Sequence, residues 1–182
     1  AKNTTTAVVA RFETTTGALS PCSEPLVITH DDVSPDTPSE PTFTPASPSA
    51  DAEPTLTVKA AAGDLVSVYA SADCSGEAVV TAIAADGEAS AVIQVNSNAV
   101  STYTLRAEDA AGNLSGCSEG VSYSHDDQAP SFDGIGTVTV TSESSLVVTW
   151  AQASDNMTDA STLSYDLCVA TSPSGCAGDF TP

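Results

Sequence analysis

Positive charge is almost missing from this chain: 4 Lys and Arg stand against 24 Asp and Glu in 182 residues, a formal net charge of −20 at pH 7. Such a field repels nucleic acid and anionic lipid, so no nucleic-acid partner is expected. No run of 18 apolar residues occurs, and no membrane insertion is expected. Aromatic residues make up only 5%, too few for the rows of exposed rings that carbohydrate-binding modules display. No Cys-x-x-Cys pair is present, which argues against a zinc or redox dithiol site. Only two histidines, His30 and His125, could serve as bases or metal ligands. Disorder is excluded as well, because charged residues are 15% and hydrophobic ones 41%, too apolar a balance for an acidic unfolded chain. The polar remainder is rich in Thr and Ser, and Thr with Val favours strands.

What the chain does have is an internal repeat, the first thing to settle about organisation. Arg11–Asp32 reads RFETTTGALSPCSEPLVITHDD and Arg106–Asp127 reads RAEDAAGNLSGCSEGVSYSHDD, with eleven of 22 positions identical at an offset of 95. The match extends from Asn3/Asn98 to Pro35/Pro130. A period of 95 is the size of one immunoglobulin-type sandwich. Residues 1–34 are therefore read as the last strands of one repeat, 35–129 as a whole repeat and 130–182 as the start of another unit. Six prolines between Ser34 and Pro54 suggest a semi-rigid extended linker.

Within the whole repeat, strands are expected at 40–44, 55–60, 65–72, 78–84, 90–95, 101–108 and 120–125. Val66, Val68 and Ala70 would share one face, as would Tyr103, Leu105 and Ala107. Gly63-Asp64, Asp86-Gly87 and Ala111-Gly112-Asn113 read as turns. The fold class is all-β, as tandem immunoglobulin-like β-sandwich domains.

Two resemblances follow from these residues. Ser145–Trp150 (SLVVTW) followed by Ser164–Ala170 (SYDLCVA) resembles the early half of a fibronectin type III domain, where a Trp late in the second strand packs under the sheet and a Tyr opens the third. The turn in Arg106–Ser115 (RAEDAAGNLS) resembles that of bacterial immunoglobulin-like repeats, carried in tandem by large secreted adhesins and surface fibres; the first copy departs from it, with Thr14–Ala18 in its place. The resemblance implies a structural, non-enzymatic segment of an extracellular, cell-surface protein, acting as a disulfide-stiffened spacer or filament subunit. Its partners would be neighbouring copies of itself or flanking repeats of the same polypeptide. The alternative is a ligand-binding adhesin module that recognises glycan or protein through its loops. A third class, a secreted hydrolase with accessory repeats, would place catalysis elsewhere.

Five cysteines with almost no lysine suggest an oxidising compartment. Cys74 and Cys117 both lie in the whole repeat, and their pairing is expected, the alternative being buried free thiols. Cys168 and Cys176 flank a hairpin-like connection and are expected to pair locally. Cys22 occupies the position of Cys117 and is left unpaired or inter-chain. No cofactor is expected beyond calcium, for which the acidic junctions Asp31, Asp32, Asp36 and Asp126, Asp127, Asp133 are the candidate ligands. They lack EF-hand spacing, and a solvated acidic turn is the preferred reading. His30 and His125, one repeat apart, read as structure rather than catalysis, and Trp150 as core. The sequons at Asn3, Asn113 and Asn156 are read as chance matches. Residues 7–30 and 137–180 read as halves of sandwiches. They would be completed by a longer polypeptide or, alternatively, by donor-strand exchange between subunits.

Overall fold

Thr and Val run through both ends of the chain and Val, Ala and Ser through its middle, and in the computed structural model these become strands throughout. The structure describes residues 3–170 and 175–176. It forms two compact units, Ala1–Asp126 and Asp127–Pro182. The first 34 residues and all but the last three of the expected whole repeat thus fall within one unit.

The first unit opens with an antiparallel hairpin of β1 (Thr4–Val8) and β2 (Leu26–His30), paired from Thr4–His30 to Val8–Leu26. Seven strands follow: β3 (Ser39–Thr44), β4 (Thr55–Lys59), β5 (Leu65–Tyr69), β6 (Val80–Ile83), β7 (Glu88–Val92), β8 (Ala99–Glu108) and β9 (Val121–His125). They make two antiparallel sheets, ordered β3-β4-β7 and β6-β5-β8-β9. Each expected strand is present, most shifted by only a residue or two at an end. The exceptions are the third, which stops at Tyr69 and leaves Ala70 exposed, and the fourth and fifth.

Alternation decides what is inside. Leu56 and Val58 of β4, Val66 and Val68 of β5, Ala89 of β7, and Tyr103 and Leu105 of β8 interleave with Ile93 and Ala84 into one core. Phe43 of β3 meets Tyr123 of β9 edge-on, ring centroids 5.0 Å apart. Each such side chain contributes about 1.5–3 kcal/mol by leaving water, so the Val-rich strands carry the stability that scarce aromatics cannot. The turn Asp86-Gly87, where the chain crosses from β6 to β7, has φ of 54° and 91°, both left-handed, and is closed by the bridge between Ala85 and Glu88. Gly is favoured there because a Cβ would strain that conformation.

The Pro-rich stretch is not the linker its composition suggested. Its first part is β3, and its second part is bonded to β9: Ser124 N–H donates to Ser47 Oγ at 2.8 Å, Ser49 N–H to the Ser124 carbonyl at 3.1 Å, and the Tyr123 hydroxyl to the Asp51 carbonyl at 3.2 Å. Pro54 is fully buried. Proline suits this edge because the missing donor there needs no strand partner.

The second unit contains an antiparallel hairpin of β10 (Ile135–Ser142) and β11 (Ser145–Trp150) and a 3-10 turn at Ala160–Thr162 capped by Asp159. The third strand expected at 164–170 does not form; those residues are irregular. All of β10 is exposed, and only Ala153 is a buried apolar residue of this unit among those described.

Candidate functional site

The residues with most to do lie where the first hairpin meets the sandwich. After β8 the chain turns through Asp109–Asn113. Asp109 Oδ1 accepts the backbone N–H groups of Ala111 and Asn113 at 2.8 and 2.9 Å, and Oδ2 accepts the Asn113 side-chain amide at 2.9 Å. These bonds, the Asn113 side chain foremost, hold the Asp109 carboxyl below the usual range. The second amide hydrogen of Asn113 reaches the Asp31 carbonyl, 3.2 Å away, just past β2. Close by, the Thr37 hydroxyl donates to the Gly116 carbonyl at 3.4 Å, and a Cβ at Gly116 would lie 3.0 Å from that hydroxyl. In the first copy Thr14 stands for Asp109 and Ala18 for Asn113. The Thr14 hydroxyl still accepts from Ala18 N–H at 3.0 Å, but Ala18 has no amide to reach outward.

Beyond the turn, the sequence reading missed two serines. Ser118 Oγ accepts Leu105 N–H at 2.9 Å while Ser118 N–H donates to the Leu105 carbonyl; Ser115 does the same for Ala107. Ser23 and Ser20 repeat this on Ala10 and Phe12 in the first copy. The signal lay in the identical Leu-Ser-x-Cys-Ser-Glu at positions 19–24 and 114–119.

Cys74 and Cys117 are joined across 43 residues, with Cα atoms 5.8 Å apart, and Cys168 and Cys176 across 8. Two disulfides mark a protein of an oxidising, non-cytoplasmic compartment. Cys22 is a free, exposed thiol. Among the described residues, no helix is long and apolar enough to cross a membrane.

The acidic candidates are not gathered into a site. Among the described residues, no three His, Cys, Asp or Glu side chains are placed to hold a metal ion. Asp31, Asp32 and Asp36 are exposed, as are Asp127 and Asp133, and Asp126 is half-buried. Asp31 Oδ1 instead accepts Val33 N–H at 3.0 Å, an ordinary turn bond. His125 is buried, its Nδ1 accepting Asn98 N–H at 3.0 Å, and so holds the turn before β8; its counterpart His30 is exposed. A different carboxyl stands out: Asp64 is buried, and its Oδ2 has no hydrogen-bond partner. Burial, and then the charge of Asp109, raise it above the usual range.

In the second unit Trp150 is 38% exposed, not core. Among the described residues this unit has only two paired strands, and no second sheet faces Trp150. It lines a cavity of about 470 Å³ with Phe132, Ile135, Leu163 and Tyr165. Tyr165 stands 5.5 Å from both Phe132 and Trp150, centroid to centroid, and its hydroxyl accepts Ala153 N–H at 2.7 Å. Comparison with known protein families found no family model that matches the chain, and a search of curated proteins found no match.

Proposed function

We propose that this chain is a structural repeat segment of an extracellular bacterial surface fibre or adhesin, built of tandem immunoglobulin-like sandwiches and serving as a disulfide-stiffened, non-catalytic spacer. The observation that carries it is the agreement between copies. Thr4–His30 pairs as Ala99–His125 does, Val8–Leu26 as Tyr103–Val121, and the bridge Glu13–Leu19 recurs as Glu108–Leu114, each at the offset of 95. Sheet orders of three and four strands, with β5, β8 and β9 in the place of the C, F and G strands, support the immunoglobulin-like assignment. Asn113, bonded to the end of the previous copy's hairpin, supports the spacer role, because a side chain that ties two repeats limits bending between them.

Force spectroscopy on the chain tests this reading. The disulfide withholds the chain from Cys74 to Cys117, a separation of 43 positions, from extension, so reduction lengthens the sandwich's unfolding step by about 150 Å at ~3.6 Å per residue. An unfolding force close to zero, or a step that reduction does not change, would sink the spacer reading.

A second reading has its own observation. The cavity under Trp150, Phe132 and Tyr165 supports a ligand-binding module, since aromatic faces are suited to stack on sugar rings or apolar side chains. Screening the chain against a glycan array, with Trp150→Ala as control, separates the two: retained glycans that the variant releases favour the module.

A further inference from the structure

Among the described residues, nothing covers the core face of the first hairpin. In the second copy, Tyr103, Ala107, Tyr123 and His125 are at most 4% exposed, because the facing sheet β3-β4-β7 and the loops beside it cover them. Their counterparts in the first copy are Val8, Phe12, Ile28 and His30, in the same register and with the same serine bonds. There Val8 is 50% exposed, Phe12 81% and Ile28 54%, and His30 is also exposed. One hairpin in this molecule therefore displays the occupant that the other lacks. That occupant is five strands of the kind running from Ser39 to Val92, with a cysteine in the segment after the third. Cys22 stands where Cys117 stands, and Cys117 is bonded to such a cysteine 43 residues earlier.

We propose that the β1–β2 hairpin is a docking element for a five-stranded half-sandwich of this repeat type, and that Cys22 forms a disulfide with the cysteine of that half-sandwich. The partner enters ahead of β1, as residues 39–92 enter ahead of β8. A second copy of this chain is the poorer occupant. Its own half-sandwich is already filled by β8 and β9, which are tethered to it and locked by Cys74–Cys117, so an incoming hairpin competes against an effective concentration of about millimolar or more. The apolar residues on the face, and its open edges, otherwise invite non-specific pairing. Side-chain volumes refine the partner. Phe12 replaces Ala107, while Val8 and Ile28 replace two tyrosines, so the partner's core must leave room near Phe12 and fill it near Val8 and Ile28. The proposal rests on the repeat geometry alone, independent of where the protein is displayed.

The test joins a duplicate of residues 35–97 in front of Asn3 of the full chain, which restores the spacing of 43 residues between the duplicate's Cys74 and Cys22. Peptide mapping without reductant is expected to find Cys22 linked to the duplicate's cysteine. Alkylation of Cys22 should fall at least tenfold, and dye binding to exposed apolar surface should drop relative to the unextended chain. Because Phe12 overfills a core shaped for Ala107, a second extended chain carries Val8→Tyr, Phe12→Ala and Ile28→Tyr. Protection of Cys22 in either extended chain upholds the docking geometry. Full alkylation of Cys22 in both overturns it, as does a dimer of the unextended chain linked through Cys22, which would make a second copy the partner.

Discussion

Replacing both Cys74 and Cys117 by alanine removes a constraint on the unfolded chain and leaves the folded strands in place. A cross-link spanning 43 residues takes about 13 cal/mol/K from the denatured ensemble, roughly 4 kcal/mol at 25 °C on the loop-entropy account. For a domain of this size each kcal/mol moves the melting point by about 4–8 °C, so the double variant should melt about 15–30 °C lower. Urea unfolding followed through the tyrosines is the assay, since Tyr69, Tyr103 and Tyr123 all lie in the first unit. Trp150 belongs to the second unit, so tryptophan emission reports that unit separately. The denaturant slope should rise as well, because an unlinked chain exposes more surface on unfolding. Reduced and alkylated native protein should match the variant. A loss under about 1 kcal/mol with an unchanged slope would refute the reasoning, placing the stability in the strands and giving the disulfide no purchase on the unfolded state.

Other expectations follow from single side chains. Asp64 is raised in the folded state by burial, so the native chain holds that proton more tightly than the unfolded one. Its contribution is present at low pH and lost as pH rises through the raised value. Relative to the parent chain, Asp64→Asn should therefore gain more stability at pH 7 than at pH 4, because it removes the loss that accompanies deprotonation of Asp64, measured by chemical unfolding at each pH. Asn113→Ala should let the Asp109 carboxyl rise towards its ordinary range, read by NMR titration, and should speed hydrogen exchange at Val33, next to the lost Asp31 contact. Ser115→Ala leaves the buried Ala107 N–H without an acceptor and should cost about 1–3 kcal/mol in urea unfolding. Ser20→Ala, the same change on the exposed Phe12 N–H, should cost measurably less, because water can replace the hydroxyl.

Strand positions in the whole repeat were legible because alternation reports directly on a sheet with one face inside: Val66 and Val68, or Tyr103 and Leu105, could face only the core. The copy at 1–34 was legible through identity rather than pattern. Trp150 was misread for a physical reason. An aromatic at the end of an alternating strand is core only when a second sheet faces it, and the sequence of β11 does not say whether one does. The strand expected at 164–170 does not join either outer edge of the β10–β11 hairpin, and those residues stay irregular. The Pro-rich stretch was misread because composition reports backbone stiffness and is silent on which carbonyls β9 will bond. In the candidate site, the cysteines were visible by position and the Asp109–Asn113 turn by its residues. Ser115 and Ser118 were hidden among many serines, and only their recurrence marks them.

Those serines bear on how two copies of one segment in a single chain avoid pairing with each other. Beyond Tyr103, β8 runs past the end of β9, leaving a stretch of open sheet edge at Leu105 and Ala107. An open edge present twice at an offset of 95 would be matched by the same edge on the other copy, at a local concentration that no dilution reduces. Ser118 and Ser115 each use one hydroxyl and one backbone N–H to fill both the donor and the acceptor of these residues. The edge ends as a closed seam, with no free rung for a foreign strand to join. Mis-registered pairing between the two copies is thereby denied its starting point, since the same seam is stitched into the first copy by Ser20 and Ser23.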